Sequence, residues 1–490
     1  MLRLEVREVP MPNSISRRGF VQTLAAAPAL AAPAEGCNIL FLMSDEHSPH
    51  AAGWLGNKIV RTPAIDSLAR AGAAFSASYC QNPVCVPSRA SFLTSRMASN
   101  VGVFGNDGGL FNDVPKMGSV FRGAGYAVSW MGKTHWGGES GFDIRDGGDD
   151  AADRPDRRKK WTRQPEDAGV AGWPVSQEPD TIAKNHALRF LEENRGKRFF
   201  AGVSFRKPHF PFAVQEEFYN LYNGRLDAPR VTPRMIEELP LVSKKERETY
   251  GFAKLNQAQI VKAREVYFGM VTYMDSLVGE IIEKLDDLGL REKTIILYTA
   301  DHGELAGEHG LWYKNSFYEA SVRVPMVWSF PRQIPRGIQI HAPVMNMDIF
   351  PTLCDLTGVP LPGGLEGHSL LPLIKGAEDG SKRYALAESF RGGYASRMIR
   401  SGQWKYCYYH EDREQLFDLR NNPEESVNLV NRPEHRELVA SLKKRALEGW
   451  RLQQYREKKT RKKGALPATR GAPISAAIIA PLQTTCLGVG

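Results

Sequence analysis

Short runs of consecutive apolar residues recur along the chain, separated by segments in which apolar residues have helical spacing. Five runs predict buried strands, over residues 38–44, 126–132, 198–205, 294–300 and 324–330. Because these runs are continuous rather than alternating, they predict a sheet that is covered on both faces. The alternation of strands and helices indicates a layered α/β domain.

Three helices are predicted between these strands from their end signals and periodicity. Thr62 and Pro63 mark the start of the first, as N-cap and first-turn residue. Asp180 is predicted to cap the second, which ends at Gly196. The third and longest covers about residues 260–288, where apolar residues recur every three or four positions.

The character of the chain changes after about residue 370. Short, alternating, aromatic-rich segments are followed by a charged helical segment. This pattern predicts a main α/β domain over residues 36–369 and a small C-terminal α+β subdomain over residues 370–450. Residues 451–490 are basic and rich in Ala, Pro and Gly, and we expect them to be poorly ordered.

The net charge of the 490-residue chain is +9, but most of it lies at the two ends. Residues 451–490 carry +7 and residues 1–35 carry +1, which leaves +1 for the body. A nearly neutral body argues against a dedicated nucleic-acid-binding protein. No apolar run is long and uninterrupted enough to span a bilayer.

The N-terminal segment has the pattern of an export signal. Arg17 and Arg18 precede an alanine-rich apolar run that ends in Ala32-Pro33-Ala34. This pattern predicts a twin-arginine signal over residues 1–34, recognised by the twin-arginine translocase, and hence a bacterial periplasmic or extracellular protein. The alternative is a basic loop before a helix, which does not account for the sequence from Ser16 to Phe20.

Polar residues cluster directly after four of the predicted strands. Each of the four clusters stands at the carboxyl end of a strand, which is where ligands bind in open α/β sheets. A solvated loop explains any single cluster about as well, but it does not readily explain all four. The clusters are Asp45-Glu46-His47, Lys133-Thr134-His135, Arg206 to His209 and Asp301 to Glu304.

The residue types in these clusters indicate a site for a tetrahedral anion. Asp45, Asp301 and His302 are suited to a divalent cation, with the imidazole a less usual ligand for Ca²⁺ or Mg²⁺. Lys133 and Lys314 supply positive charge, and His135 and His209 are able to transfer protons near neutral pH. Sulfate and phosphate esters fit such a site.

Cys85 stands at the predicted start of a helix whose first turn contains Pro87, and Arg89 follows one turn later. A helix N-terminus favours an anion. From the residues alone, Cys85 is a buried thiol, a thiolate nucleophile or a metal ligand. The six cysteines contain no CxxC pair, which excludes a zinc ribbon and argues against a dense disulfide framework; a local Cys80–Cys85 disulfide is the remaining option.

The segment Cys85-Val86-Pro87-Ser88-Arg89 resembles the signature of type I, formylglycine-dependent sulfatases, members of the alkaline-phosphatase-like superfamily. In that family the cysteine is oxidised by a formylglycine-generating enzyme to Cα-formylglycine, whose hydrate is the nucleophile. The resemblance extends from about Asn38 to Trp450. It includes "GKTHW", "KPHFPF", "TADHGELAGEHGLWYKNSFYE" and the late "WKY" and "QLFDLRNNPEESVNL". It implies an alkaline-phosphatase-like α/β/α sandwich.

The resemblance also implies a role for each matching residue. Asp45, Glu46, Asp301, His302 and position 85 would bind the metal, usually Ca²⁺ and less often Mg²⁺. Arg89 would hold the formylglycine hydrate, Lys133 and Lys314 would bind the sulfate oxygens, His209 would protonate the leaving alcohol, and His135 would help to release sulfate. Asn106 would line the substrate pocket, as an asparagine does in choline-sulfatase-type enzymes.

Two residues depart from the family pattern. Glu46 stands where many sulfatases have a second aspartate, and it is longer by one methylene. Ser95 stands where the signature usually has glycine, a residue that tolerates close approach of backbones. Glu46 is still expected to reach the metal, and Ser95 is expected to slow recognition by the maturation enzyme.

These features predict hydrolysis of a sulfate ester to an alcohol and inorganic sulfate. Two alternatives remain: a phosphonate monoester or phosphodiester hydrolase of the same superfamily, and a non-catalytic sulfatase-like binding protein. Some segments resemble choline-sulfatase-type enzymes and others iduronate-2-sulfatase-type enzymes, whereas the insert after Trp136 matches neither. Because export suits an extracellular substrate, carbohydrate sulfates are favoured slightly over choline sulfate.

Overall fold

The protein is described by a computed structural model over residues 36–110, 114–145, 164–377, 380, 383–450 and 452. The predicted export signal (1–34) and, except for Leu452, the basic tail (451–490) lie outside the described residues. Most of the insert after Trp136 lies outside them too. None of the described helices is long and apolar enough to cross a membrane.

The described strands divide into a large mixed sheet, a small antiparallel sheet and a two-stranded ribbon. The strands are β1 (Asn38–Asp45), β2 (Ala73–Tyr79), β3 (Ala127–Gly132), β4 (Asp143–Arg145), β5 (Gly169–Val170), β6 (Phe199–Pro208), β7 (Ala213–Val214), β8 (Thr294–Ala300), β9 (Arg323–Ser329), β10 (Ile338–Ile340), β11 (Val344–Met345), β12 (Tyr384–Ser389), β13 (Ser396–Ser401), β14 (Trp404–Tyr409) and β15 (Gln415–Asp418).

The α-helices alternate with the strands of the large sheet, and one long helix follows the ribbon. They are α1 (Pro63–Ala71), α2 (Cys85–Thr94), α3 (Met117–Gly123), α4 (Pro179–Glu193), α5 (Glu216–Tyr219), α6 (Pro233–Glu237), α7 (Leu241–Thr249), α8 (Gln257–Asp287), α9 (Glu319–Val322), α10 (Ile349–Thr357), α11 (Leu371–Ile374) and α12 (Arg436–Leu447).

The large sheet has the strand order β10-β2-β9-β8-β1-β6-β3-β4, with β11 paired to β2. All neighbours are parallel except β9, which is antiparallel to both β2 and β8. The five strands predicted from apolar runs are all present in this sheet, so these predictions are confirmed. β2 was not predicted, because its segment Ala73–Tyr79 is dominated by alanine and serine rather than by large apolar residues.

Two apolar cores cover the two faces of the sheet. On β1, Leu40 and Leu42 belong to a core shared with α4 and α8, whereas Phe41 and Met43 belong to a second core shared with α2 and α10. Successive side chains of a strand point to opposite faces, so the sheet lies between two helical layers. This is the predicted α/β/α sandwich.

The C-terminal part contains an antiparallel sheet of order β12-β13-β14-β15, against which α12 packs. Leu442 and Ala446 of α12 are buried against Ile399 and Tyr406. The α+β character expected for this region is therefore present, and its strands contact the main domain through a further apolar cluster that includes Met398 and Cys407.

The helix ends differ from the sequence prediction at two places. Asp180 lies inside α4, one residue after Pro179, and its carboxylate accepts the backbone N–H groups of Arg206 and Lys207 at 2.7 and 2.8 Å. It therefore fixes the end of β6 instead of capping its own helix. α4 also ends at Glu193, three residues before the predicted Gly196.

The start of α1 is capped from a distant helix. Thr62 is the N-cap residue, but its side chain makes no capping hydrogen bond. Instead, the carboxylate of Asp275 on α8 accepts the backbone N–H groups of Ala64 and Ile65 at 3.0 and 2.9 Å. The free amides of the first turn are thus satisfied by a residue far along the chain.

Candidate active site

Four potential metal ligands meet where β1 and β8 end. β1 and β8 are parallel neighbours with Ser44 paired to Ala300, so Asp45 and Asp301 emerge side by side. One ligand atom each from Asp45, Cys85, Asp301 and His302 lies within 4.8 Å of the others, and all four residues are buried. The predicted clusters after these two strands therefore do come together.

Cys85 reaches this cluster from the first residue of α2. Its Sγ lies 3.2 Å from His302 Nε2 and 3.7 Å from Asp45 Oδ1. The predicted helix start at Cys85, with Pro87 in the first turn, is confirmed. Cys85 and Cys80 are both free thiols, so the local disulfide considered from the sequence is not formed.

Lys133 and Lys314 bring positive charge to the Cys85 sulfur. Lys314 Nζ lies 3.3 Å from Sγ and Lys133 Nζ lies 3.8 Å from it, while Lys133 also forms an ion pair with Asp45. Burial raises the pKa of the Cys85 thiol, but Lys133, Lys314 and His302 outweigh burial and lower it well below its usual range. The site thus stabilises negative charge at this position.

A glycine allows Lys133 to turn toward the site. Gly132, the last residue of β3, has φ +84°, and a Cβ there would lie 2.2 Å from the carbonyl oxygen of Ser204. The backbone N–H of Lys133 donates to the same carbonyl at 2.9 Å. Only glycine combines this left-handed conformation with so close an approach of β6.

Arg89 connects three elements beneath the cluster. Its Nε donates to Asp301 Oδ2 at 2.9 Å, and one terminal nitrogen, Nη1, donates to the Lys133 carbonyl at 3.0 Å and to Ser204 Oγ at 3.1 Å. Its other terminal nitrogen, Nη2, is buried and has no hydrogen-bond partner among the described residues. Ser204 was missed by sequence analysis because it lies within the apolar run of β6.

The two predicted proton-transfer histidines both contact Cys85. The side-chain hydrogen bond with His135 lowers the pKa of Cys85, and the one between Cys85 and His209 raises the pKa of His209. Burial and, to a lesser extent, the charge of Lys314 lower the pKa of His209 to about 4, against the opposing charge of Asp45. His209 follows β6 and is held by its Nδ1 contact of 2.7 Å to the Phe210 carbonyl.

Glu46 lies beside the cluster but is not one of its four members. Its Oε2 is 3.5 Å from both Lys314 Nζ and His209 Nε2, and its Oε1 is buried without a hydrogen-bond partner among the described residues. Glu46 has φ +71°, and Tyr267 of α8 donates to its carbonyl at 2.8 Å. Its predicted metal role remains a prediction.

Glu304 and Asn106 shape the site without belonging to the four-residue cluster. Glu304 Oε1 accepts the backbone N–H groups of Ala306 and Tyr313 at 2.8 and 2.6 Å, which folds the loop that carries Lys314. The amide oxygen of Asn106 accepts the Val86 N–H at 3.1 Å. Asn106 thus supports the start of α2, and its predicted contact with substrate remains a prediction.

The donor set fits a divalent cation. Two buried carboxylates are the hard oxygen ligands that such ions prefer. His302 Nδ1 lies 3.0 Å from the Gly303 carbonyl, so this nitrogen carries the proton and Nε2 is directed at the cluster as an acceptor. Asp301 is oriented by the N–H groups of Glu46 and His302 at 3.2 and 2.9 Å.

Comparison with known families agrees with this geometry. Residues 37–359 match the family model described as sulfatase, and residues 307–453 match the model described as N-sulphoglucosamine sulphohydrolase, C-terminal. The first match covers the main sheet and every candidate site residue, and the second spans the loop of Lys314 together with the antiparallel sheet.

Relatives named as sulfatases match most of the chain. A choline-sulfatase of Rhizobium meliloti is 31% identical over 430 residues, covering 81% of this chain and 83% of the relative. An ulvan-active sulfatase of Formosa agariphila is 28% identical over 440 residues, covering 84% of this chain and 81% of the relative.

Solved structures share the fold at lower identity. A phosphonate monoester hydrolase of Agrobacterium radiobacter has a TM-score of 0.72 at 22% identity, covering 87% of this chain and 95% of that chain. A protein solved with its substrate D-glucosamine-2-N,6-O-disulfate has a TM-score of 0.71 at 21% identity, covering 86% and 99%. The extent of the family match, together with the choline-sulfatase relative, shows that this chain belongs to the sulfatase family and is a sulfuric ester hydrolase.

Proposed function

We propose that the protein hydrolyses sulfate esters of carbohydrates through a formylglycine made from Cys85, with Ca²⁺ held by Asp45, Asp301, His302 and position 85. The observation that carries this proposal is the convergence of Lys133, Lys314 and His302 on the Cys85 sulfur. Formylglycine would supply the attacking oxygen and Ca²⁺ would stabilise charge on the sulfate oxygens.

The remaining steps fall to side chains of this chain. Lys133 and Lys314 neutralise the sulfate group and orient it over position 85. Arg89, whose Nη2 is buried without a partner among the described residues, is available to hold the modified side chain. These three cations keep their charge throughout the reaction, so they stabilise the developing negative charge without a proton transfer of their own.

His209 is placed to protonate the leaving alcohol, and His135 to assist the release of sulfate. The pKa of His209 is lowered to about 4 chiefly by burial, with Lys314 contributing. A bound sulfate ester brings negative charge next to the ring and thereby favours its protonated form. Proton donation by His209 is therefore coupled to the presence of substrate.

An aromatic wall next to His209 supports a ring-shaped leaving group. The Phe210 ring lies 3.9 Å from the His209 ring and 4.6 Å from the Tyr313 ring, centroid to centroid, and Phe210 is only partly buried. A sugar ring offers an apolar face to such a surface. The relative named as ulvan-active agrees with this substrate class.

Choline sulfate is the second candidate, because the relative named choline-sulfatase is 31% identical. The aromatic rings and the Glu46 carboxylate beside His209 would also suit a cationic leaving group. The phosphonate hydrolase neighbour, at 22% identity, supports the shared fold and not its reaction.

The test uses protein co-expressed with a formylglycine-generating enzyme, after mass spectrometry of the peptide spanning residue 85 has confirmed conversion. Rates are measured on 4-nitrophenyl sulfate, sulfated glucosamines and disaccharides, choline sulfate and a phosphonate monoester, with Cys85→Ala as the inactive control. We expect the highest kcat/KM on a sulfated sugar. Fully converted protein without turnover of any sulfate ester would overturn the proposal. A higher kcat/KM on choline sulfate than on any sulfated sugar would make choline sulfate, and not a carbohydrate sulfate, the substrate.

We also propose that the protein is exported through the twin-arginine translocase and acts in the periplasm or outside the cell. The support is the pair Arg17-Arg18 followed by the alanine-rich run. Replacing both arginines by lysine should retain the precursor in the cytoplasm, whereas the unaltered chain should appear in the periplasmic or extracellular fraction. Equal distribution of the two forms would contradict export by this route.

A further inference from the structure

Three charged residues lie in segments that resemble sulfatase sequences but do not belong to the catalytic cluster. They are the lysine of "WKY", the second glutamate of "NNPEES" and the glutamate of "NSFYE". These residues are Lys405, Glu425 and Glu319. In the structure all three meet in one buried group, which we call the Lys405 cluster. Lys405 lies on β14 of the C-terminal sheet, whereas Glu319 is the first residue of α9 in the main domain.

Lys405 is completely buried, and its ammonium group contacts three acceptors. Its Nζ donates to the Phe317 carbonyl at 2.6 Å and to Glu319 Oε1 at 2.9 Å, and it forms an ion pair with Glu425. An ammonium group has three donors and no acceptor, so three surrounding oxygen atoms match its chemistry. Burying a lysine charge costs free energy unless charged or hydrogen-bonding partners surround it. Here these partners lie at or beside a single segment of the main domain, residues 317–319.

The two glutamates connect the same segment from both sides. Glu425 accepts the backbone N–H of Glu319 at 2.6 Å. Glu319 also pairs with Arg323 at 2.9 Å and accepts the Tyr79 hydroxyl at 3.1 Å. Residues 317–319 are thereby fixed between β14, the loop of Glu425 and strand β2.

This fixed segment begins three residues after Lys314. Lys314 stands between Tyr313 and Asn315, whose φ values of +68° and +73° lie in the left-handed region. Such a backbone is costly and persists only when its surroundings impose it. On the N-terminal side Glu304 holds the Tyr313 N–H. On the C-terminal side Asn315 donates its side-chain amide to Glu246 and its backbone N–H to the Pro83 carbonyl, both at 3.1 Å. The Lys405 cluster then holds the chain from Phe317 onward.

We infer that Lys405 and Glu425 are positioning residues for Lys314. The C-terminal part of the chain thereby contributes to the binding of sulfate. The cluster fixes Phe317 and Glu319, and this holds the preceding turn so that Lys314 Nζ stays 3.3 Å from position 85. This inference rests on the proposed role of Lys314 in binding sulfate. It adds that residues of the C-terminal sheet determine the affinity for the sulfate group.

The test compares Lys405→Met, which removes the charge, with Lys405→Arg, which keeps it. Lys443→Met is the matched control: Lys443 also lies in the C-terminal part and pairs with a glutamate, Glu414, but its side chain is 42% exposed and it does not contact residues 314–319. Each protein is checked for formylglycine content and assayed well below its unfolding transition.

For Lys405→Met we expect KM for an aryl sulfate and the inhibition constant of inorganic sulfate to rise together by about tenfold, with a smaller fall in kcat. Hydrogen exchange in residues 311–319 should become faster. Lys405→Arg should recover part of the affinity, and Lys443→Met should match the unaltered protein. A purely structural role would lower the unfolding temperature but leave KM and sulfate inhibition of the folded protein unchanged, which would overturn the inference.

If Lys405→Met does not fold, the isosteric Glu425→Gln takes its place, because it keeps the shape and the acceptor for Glu319 N–H while removing one charge. Unchanged sulfate inhibition and exchange in that variant would equally overturn the inference. If the proposed function is wrong, the unaltered protein itself shows no turnover, and this distinguishes that outcome from failure of the inference about Lys405. Inorganic sulfate binding and exchange in 311–319 would still report on the position of Lys314.

Discussion

Arg89 and Asp301 form an ion pair that is completely closed to solvent, with Arg89 Nε 2.9 Å from Asp301 Oδ2 and both side chains at 0% exposure. Asp301 is a predicted metal ligand, and the same guanidinium holds the Lys133 carbonyl. One arginine therefore fixes the spacing between the candidate metal site and a candidate sulfate-binding lysine.

Replacing Arg89 by methionine should destabilise the protein strongly. The change leaves the Asp301 carboxylate buried without its partner, and breaking such a buried pair costs about 3–5 kcal/mol. Urea-induced unfolding at one fixed Ca²⁺ concentration measures the apparent free energy of unfolding. The control is Arg122→Met, since Arg122 and Asp143 form an exposed pair at 48% and 68% exposure, where we expect a loss of about 0–1 kcal/mol. Equal losses in the two variants would contradict the burial argument.

Ser95 is the residue of the signature that departs from the family pattern, and the structure shows what replaces the usual glycine. It ends α2 with φ 53° and ψ 42°, the left-handed conformation that glycine adopts without strain. Its Oγ donates to the Met347 carbonyl at 2.7 Å and accepts the Gly367 N–H at 3.2 Å. Two hydrogen bonds thus offset the backbone cost of a serine at this position.

We expect Ser95→Gly to change the stability by less than about 1 kcal/mol, because relief of backbone strain offsets the lost hydrogen bonds. Ser95→Ala keeps the strain and loses both bonds, so it should destabilise by about 1–3 kcal/mol. Thermal unfolding ranks the stabilities of the two variants and the unaltered protein. Mass spectrometry reports whether the fraction of residue 85 converted to formylglycine differs among them. Ser95→Ala as stable as Ser95→Gly would mean that the Oγ contacts contribute nothing.

The strand ends that carry the site could be predicted from sequence because each apolar run and the polar residues that follow it are adjacent along the chain. A continuous apolar run followed by Asp45, or by Asp301 and His302, locates both the strand and the edge at which its ligands stand. Parallel pairing then brings these ends together without further information. The roles of the individual residues came from the resemblance to sulfatases and not from the apolar pattern.

The helix caps could not be predicted because their partners are distant in sequence. The sequence predicts Asp180 as an N-cap, but Asp180 lies in the first turn of α4 and its carboxylate accepts the backbone N–H groups of Arg206 and Lys207 on β6. The cap of α1 comes from Asp275, about two hundred residues later. Tertiary contacts of this kind leave no periodic or compositional signal near the residue that they satisfy.

His309 should make the protein less stable as the pH falls below neutrality. It is buried against Tyr318, with the two ring centroids 3.6 Å apart, and burial lowers its pKa to about 4. Between pH 6.5 and 4 the unfolded chain therefore binds a proton at this residue that the folded protein does not. Stability is lost as the pH falls through this window and is unaffected by His309 above it.

His309→Asn tests this because asparagine does not titrate and tolerates the φ of 54° at this position. At pH 7.5 the variant should be less stable, since it loses the ring contact with Tyr318. Its deficit relative to the unaltered protein should shrink by about 2 kcal/mol between pH 7 and pH 4.5. Parallel unfolding curves at the two pH values, with a constant deficit, would show that His309 does not contribute to the acid sensitivity.

Calcium binding should distinguish the four-residue cluster from Glu46. Asp45→Asn removes one of the two carboxylates of the cluster, so we expect the Kd for Ca²⁺, measured calorimetrically on protein freed of metal, to rise by at least about a hundredfold. Glu46→Gln should raise it by less than about tenfold, because the Glu46 carboxylate is turned toward Lys314 and His209. Asp348→Asn is the control, since this buried carboxylate binds the backbone N–H groups of Met345 and His368, away from the cluster. Equal losses in Asp45→Asn and Glu46→Gln would instead make Glu46 a full metal ligand, as the resemblance to the sulfatases implies.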